Sequence, residues 1–448
     1  MTHTSHDSVD FTPNGVKHIR ARSRTGRMVA IAAVAAVAAI VSLAACTSDL
    51  SVTDPVNLTP DDLGSNAPIG ITINGARGAF QRAYDRHILY TDLLSDAFVA
   101  AGTFPYQAEV DDRLIRANNE GLLGDMYVPL SVARFMADTA IALLDQAKGG
   151  VGVDEAARLQ GVAQSRYFGG YTRALLAEAY CASAISGGPA LTSDLRMADA
   201  LAVFQDAAAK ATEANSPQLL AAARLGEARA QLWLGKYAEA AAAAALVPET
   251  GFLINSVYSN ASVGQKNFVV RETYGIDEAI RFAVGDGTVS FLHNERFPYL
   301  DNFLSIGLIR RRPDLSAFNS AVPVVAQTKM LTGDAPIPMG SSAEGLLIRA
   351  EVLVRAANRS AAAALLTPLR AAWNLPPVTF PGPLQADLRV MAEERSRELF
   401  VTGERLATLR RYMKDGVDLF PTGTGGSATC FPVPQQELDT NPNARGGG

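Results

Sequence analysis

Reactive side chains are few in this chain, and they are placed unevenly. Five histidines and three cysteines occur in 448 residues. His3, His6 and His18 precede residue 46, so the body of the chain keeps only His87 and His293. Two separated histidines cannot build a three-histidine zinc site, and no H-E-x-x-H stretch or G-x-S-x-G nucleophile turn occurs. His87 lies in "AYDRHILYTDLL", on a helical apolar pattern, where packing or capping is the expected role. Asp and Glu number 45, so hydrolysis by paired carboxylates stays open, but no pair stands out. The sequence therefore predicts a non-enzyme with no catalytic residue, no metal site and no cofactor.

Cysteine carries the clearest chemistry. Leu43-Ala44-Ala45-Cys46 lies near the end of an uncharged run from Met28 to Ser48, and Lys17, Arg20, Arg22, Arg24 and Arg27 stand before that run. A positive region, an apolar stretch and small residues are the successive parts of an export signal. The small residues let a peptidase approach the backbone, and the Cys46 sulfur is a diacylglycerol acceptor of the bacterial lipobox type, with palmitate among the acyl chains expected. The alternative is an uncleaved anchor helix, since a span needs about 20 apolar residues. Alanine contributes little to insertion, and a start at Met28 would leave the run without basic residues ahead of it. Residues 1–45 are read as a lipoprotein signal peptide and 46–73 as a tether. Either reading puts the bulk of the chain outside the cytoplasm.

Cys181 and Cys430 form an even pair in an oxidising compartment, which predicts a disulfide; two buried thiols are the alternative. Closing so long a loop stabilises by up to about 5 kcal/mol.

Cleavage before Cys46 removes five of the 40 Lys and Arg and two of the 45 Asp and Glu, moving the net charge from −5 to −8. Such a surface repels phosphate backbones, so nucleic acid is not an expected partner. No later run reads as a second membrane span; the alanine block 240–247 reads as close helix packing.

The elements that must position any site are mainly helical. From about Gly75 the spacing of Phe80, Tyr84 and Ile88 is that of a helix, with Thr91 or Asp92 continuing the stripe. Further helical patterns cover 122–147, 154–184, 196–214, 217–234 and 237–246, then 342–357, 360–373 and 384–414. "LLAAARLGEARAQLWLGKYAEAAAAAALVP" resembles a tetratricopeptide unit, with Leu225 and Gly226 at the first close contact, Gly235 and Tyr237 at the turn and Ala240 where the second helix packs. Trp233 is read as core. Periodicity fades between Gly251 and Gly340, where "TVSFL" and "VPVVAQTKML" are strand candidates. The predicted regions are helical at 74–250, irregular and ligand-facing at 251–340, helical at 341–415, and a closing tail at 416–448.

The last third carries a more specific pattern. "EERSRELFVTGERLATLRRY" is similar to the R-E-L-x-F-x-G-x-R-x-x-D-L-R-R signature of the SusD/RagB family of nutrient-binding outer-membrane lipoproteins. Arg397, Glu398, Leu399, Gly403, Arg405, Leu409, Arg410 and Arg411 match; Phe400 is displaced by one, and Leu406, Ala407 and Thr408 replace the usual residues. "CFPVPQQELDTNPN" resembles the family's closing segment through Pro432, Pro434, Glu437, Leu438, Asn441 and Pro442, although "ARGGG" follows in place of N-P-G-Y. Arg349, Ala350, Glu351, Ala364, Leu369 and Arg370 resemble its R-A-E helix pair, and "CTSDLSVTDPVNLTPDDL" its leader. The signature residues read as scaffolding: Glu393 and Glu394 each have Arg397 as a helical neighbour, worth a few tenths of a kcal/mol if exposed.

This resemblance implies a mainly α fold of tetratricopeptide-like helix pairs, with an irregular loop-rich insert containing a few short strands. It implies a lipid-anchored outer-membrane protein on the cell surface, a glycan or peptide nutrient as ligand, and a SusC-like TonB-dependent transporter as partner. A glycan site needs aromatic faces beside polar groups. The candidates are Phe104 and Tyr106 near Asp96, Tyr258 near Asn260, Tyr299 near Asn302, and more weakly Tyr274 near Asp277. A protein-binding tetratricopeptide scaffold is the competing reading, and a carboxylate-dependent secreted hydrolase a further one. Poverty in tryptophan, two in the chain, argues mildly against a polysaccharide specialist.

Overall fold

Alanine and leucine recur at three- and four-residue spacing through most of the chain, and these residues pay little entropy in a helix. The computed structural model accordingly is mainly helical. It describes residues 69–274, 282–284, 301, 303–311, 325–421 and 424–446. All of these belong to one contact unit, Pro60–Gly448.

The first helix, α1, runs Ile69–Leu94 and leads through β1, Phe98–Ala100, into the short α2, Pro105–Asp111. A π-helical turn, Leu122–Tyr127, opens α3, Val128–Gln146, and is followed by α4, Glu155–Ala179. After a small hairpin of β2, Ala182–Ser183, and β3, Leu191–Thr192, come α5, Ser193–Glu213, α6, Pro217–Trp233, and α7, Tyr237–Ala244. Starts are set locally: the Asp154 carboxylate accepts from the Ala156 and Ala157 amides, and Pro occupies the first turn of α2, α3 and α6. Residues 122–146 are long and apolar enough to cross a membrane by composition. Leu130, Ala133 and Ala137 of that stretch are instead fully buried in the core.

The expected tetratricopeptide-like pairing is present. An added Cβ on Gly226 would lie 2.4 Å from Phe204 Cε1, so only glycine lets α6 reach the Phe204 face of α5. Ala240 is fully buried where α7 packs back. Trp233 is 4% exposed and donates to Asp194 at 2.8 Å, beneath the cations of Arg410 and Lys414. It is core, as its position in the sequence predicts.

The 251–340 region holds short strands. β4, Leu253–Ser256, pairs antiparallel with β8, Ile337–Ser341, through a bulge at Ile254/Asn255. β5, Phe282–Val284, pairs with β1, and β6, Ile309–Arg311, with β7, Val325–Gln327. The strand expected in "VPVVAQTKML" is thus β7, while "TVSFL" lies outside the described residues. A short α8, Phe268–Tyr274, was not signalled by periodicity.

The C-terminal helices are α9, Ser342–Arg355, α10, Arg359–Ala372, α11, Leu384–Glu398, and α12, Glu404–Lys414, with a last turn α13, Gln435–Thr440. Three expectations are corrected here. The continuous helix read over 384–414 breaks at Leu399–Gly403, where Val401 and Gly403 have φ of 57° and 77°. Gly403 is also tight: a Cβ there would stand 3.1 Å from His87 Cδ2. The predicted pairs of Arg397 with Glu393 and Glu394 exist, but Arg397 and Glu394 are buried, so they are not the weak surface pairs expected. The helix extent read over 154–184 ends at Ala179, because Ala182–Ser183 turns into a strand.

Buried charges, Arg411 of the signature among them, build an ionic core. Arg229 of α6 bridges both Glu344 oxygens at 2.9 Å and Glu404 at 2.8 Å, with Tyr171 under its guanidinium. Arg411 holds Glu351 at 2.5 and 3.0 Å. Burial opposes the charge on Glu351, yet Arg411 and Arg355 bring its carboxyl down to about 2. Among the described residues Glu178 has no such ion pair; burial, with Glu404 and Glu344 nearby, pushes it up to about 8. Around these charges pack Phe80, Tyr84, Phe168, Tyr171 and Phe204, in stacked and edge contacts.

Cys181 and Cys430 are bonded, with Cα atoms 5.2 Å apart. The bond fastens the tail beside a strand-like pairing in which the Cys181 amide donates to the Phe431 carbonyl and the Phe431 amide to the Ala179 carbonyl, each at 2.9 Å.

Candidate functional site

Beside α1, aromatic and polar groups come together at two places on the described surface. The first is a shelf beyond its C-terminus. Phe104 precedes α2, and Pro105 starts that helix with its φ already suited to it. The Phe104 ring is 38% exposed and stacks on Tyr106 with centroids 5.2 Å apart and planes 21° from parallel. Tyr106 reaches this pose because residue 121 is glycine; a Cβ there would lie 2.6 Å from Tyr106 Cδ2. Asn119 locks the loop, donating to the Tyr106 carbonyl and to Glu109 at 2.9 Å each and accepting from the Leu122 amide at 2.9 Å. Burial opposes ionisation of Glu109, but hydrogen bonds from Arg116 and Asn119 hold its carboxyl below the ordinary range. Beneath the shelf Tyr90 donates to Asp125 of the π-helical turn at 2.6 Å. Burial and that carboxylate push the Tyr90 hydroxyl far above its usual range. A rigid pair of ring faces on a hydrogen-bonded loop can stack a flat apolar surface, such as the C–H face of a sugar.

The second place is a trough between α1 and the β4 segment. Two clefts of about 350 and about 340 Å³ adjoin there, sharing Arg77, Gln81 and Val257. Each falls in the range usual for small-molecule sites, roughly 300–1,000 Å³. Tyr258 fixes one wall: its hydroxyl donates to the Gln81 carbonyl at 3.2 Å and lies 3.0 Å from Ser256 Oγ. From Gln81 to the end of α1 is about 20 Å along the helix, at 1.5 Å per residue. The two places are therefore separate.

The predicted residues sort accordingly. Phe104 and Tyr106 come together on the shelf. Asp96 does not face it; the residue is 3% exposed and has φ 63°, at the corner where α1 ends. Its carboxylate is felt by Arg113, whose guanidinium donates to the Ala428 and Pro421 carbonyls. Tyr258 lines the trough, whereas Asn260 is exposed and, after Thr332 and the backbone, helps hold Asp334 below its ordinary range. Cys46, Tyr299, Asn302, Asp277 and His293 lie outside the described residues. His87 is fully buried, with neither ring nitrogen hydrogen-bonded, and burial and Arg229 lower it to about 3. It is a neutral packing group. Among the described residues no group of three or more His, Cys, Asp or Glu is arranged to hold a metal ion.

Sequence reasoning passed over the trough's α1 side. Arg77, Gln81 and Arg82 stand at i, i+4 and i+5 on the wet side of the helix, a pattern that reads equally well as an ordinary solvated face.

Solved structures resemble this arrangement along nearly their whole length. A SusD superfamily protein from Bacteroides thetaiotaomicron VPI-5482 matches with a TM-score of 0.64 at 13% identity, covering 84% of this chain and 98% of that one. A SusD-like carbohydrate binding protein from Bacteroides vulgatus ATCC 8482 matches with a TM-score of 0.61 at 13% identity, covering 84% and 97%. The chain carries the SusD fold. A laminarin binding SusD-like protein shares it at a TM-score of 0.59 and 14% identity, with 83% and 97% covered. No protein-family model matches the sequence, and comparison with curated proteins finds no match. At these identities the likeness establishes the fold alone.

Proposed function

We propose that the protein is a surface lipoprotein that captures a glycan and delivers it to a SusC-like TonB-dependent outer-membrane transporter. Near-complete structural overlap with SusD-like proteins, including one named for carbohydrate and one for laminarin, carries this reading. The Phe104–Tyr106 shelf supplies the stacking surface for a neutral sugar face, and Cys46 supplies the lipid attachment. The protein binds its cargo without transforming it.

The deciding experiment is a pull-down of the tagged full chain from outer membranes. Recovery of a large TonB-dependent barrel is the expected result, and its absence would overturn the delivery role. For capture, Phe104→Ala is expected to weaken binding of a neutral β-glucan oligomer about tenfold, since base and sugar platforms of this kind lose on the order of 1–3 kcal/mol per stacked ring. Unchanged affinity would remove the shelf from the ligand path.

A further inference from the structure

The trough beside α1 has a chemistry unlike the shelf. Its rim and floor carry Arg77, Arg82 and Lys266, in a chain whose overall charge is −5. Among the described residues the one acidic side chain lining it, Asp85, is buried; its carboxyl is pushed up to about 7 by burial, and it is engaged by Arg86 and the Phe268 amide. Arg77 and Arg82 therefore leave the α1 wall of the trough positive on an acidic protein. Between the cations stand amides, Gln81, Gln164 and Asn255 among them. Each amide offers both donors and an acceptor, as does each hydroxyl of a sugar.

Asn255 supplies an independent sign. The bulge in the β4–β8 ladder falls at Ile254/Asn255, and bulges re-aim side chains beside functional sites. The Asn255 Oδ1 is shielded from solvent and accepts no hydrogen bond. A shielded carbonyl oxygen without a donor is costly unless a ligand completes it.

We infer that this trough is a second ligand site, distinct from the shelf, that takes an extended acidic oligosaccharide. The inference rests on the glycan-capture reading for the class of cargo, not for its place. The residues of α1 that line the trough, Asn74 to Asp85, span about 16 Å at 1.5 Å per residue, so the ligand is a short chain rather than one ring. Acidic groups meet Arg77 and Arg82; hydroxyls meet the amides, and one donates to Asn255 Oδ1. An acidic peptide fits less well. The bulge interrupts the β4 edge it would extend, and the Leu253 carbonyl already accepts from Gln218 at 3.3 Å.

The test uses the full chain and isothermal titration with three probes: a galacturonic acid hexamer, its methyl ester and hexaglutamate. The acid hexamer is expected to bind, with affinity falling as salt rises, and the ester and hexaglutamate at least tenfold more weakly. Arg77→Ala with Arg82→Ala is expected to lower affinity for the acid hexamer tenfold or more, Arg82→Lys to retain most of it, and Asn255→Asp to repel it. Phe104→Ala is expected to leave it unchanged. No binding of the acid hexamer, binding indifferent to the trough variants, or equal binding of hexaglutamate would overturn the inference. Loss of neutral-glucan binding to the wild-type chain would instead strike the capture reading, which the acid hexamer does not probe.

Discussion

Glu178 shows how a single buried side chain can set the pH response. Its carboxyl ordinarily titrates at 4.5 and is pushed up to about 8 by burial, Glu404 and Glu344. In the window between these values the folded state binds the proton that the unfolded state has released. Stability from this group is therefore full below about 4.5 and declines as pH rises towards 8. Glu351 behaves oppositely: lowered to about 2, it stabilises above its ordinary value of 4.5 and loses that contribution only as pH falls towards 2. We expect the melting temperature of the wild type to fall between pH 5 and 8 and Glu178→Gln to flatten that fall, measured by calorimetry at several pH values. Equal slopes in both proteins would show that Glu178 does not retain its proton. None of this is visible in "LAEAYC", because the groups that act on Glu178 lie far along the chain.

At the scale of elements, the glycine at position 226 is the most exacting contact between helices. Its replacement by alanine places a methyl 2.4 Å from the Phe204 ring, so overpacking is expected to cost about 1–3 kcal/mol. A chemical denaturation midpoint unchanged in Gly226→Ala would show that α5 and α6 can separate freely. The tail is a second such case: reduction of Cys181–Cys430, or Cys181→Ser with Cys430→Ser, is expected to cost up to about 5 kcal/mol for a loop of 249 residues. If the oxidised and reduced forms melt together, the pairing of Tyr180 with Phe431 suffices alone. Helices were readable because apolar spacing is a local property, and α5, α6 and α9 end within a few residues of where the pattern ends. The break before α12 was not, since "SRELFVTGERL" keeps helical charge spacing while Val401 and Gly403 adopt positive φ. Nor was the ionic core, whose Arg229 and Glu344 are 115 positions apart. Likewise Tyr258 was recognisable as a loop aromatic, but the trough exists only because that loop meets α1, 177 positions away at Gln81.

For the whole molecule, the disulfide also bears on how the protein can be followed in the cell. The chain contains three sulfur-bearing cysteine side chains, and two are occupied with each other. Residue 46 is left as the sole maleimide-reactive position unless a fatty group has been attached there. A polyethylene-glycol maleimide added under denaturing, non-reducing conditions should thus shift unmatured precursor on a gel by one adduct and leave the acylated form unshifted. In Cys46→Ser no adduct should form, and the protein should move from the membrane fraction to the soluble one. The band ratio then reports maturation directly, without radiolabel or antibody against lipid.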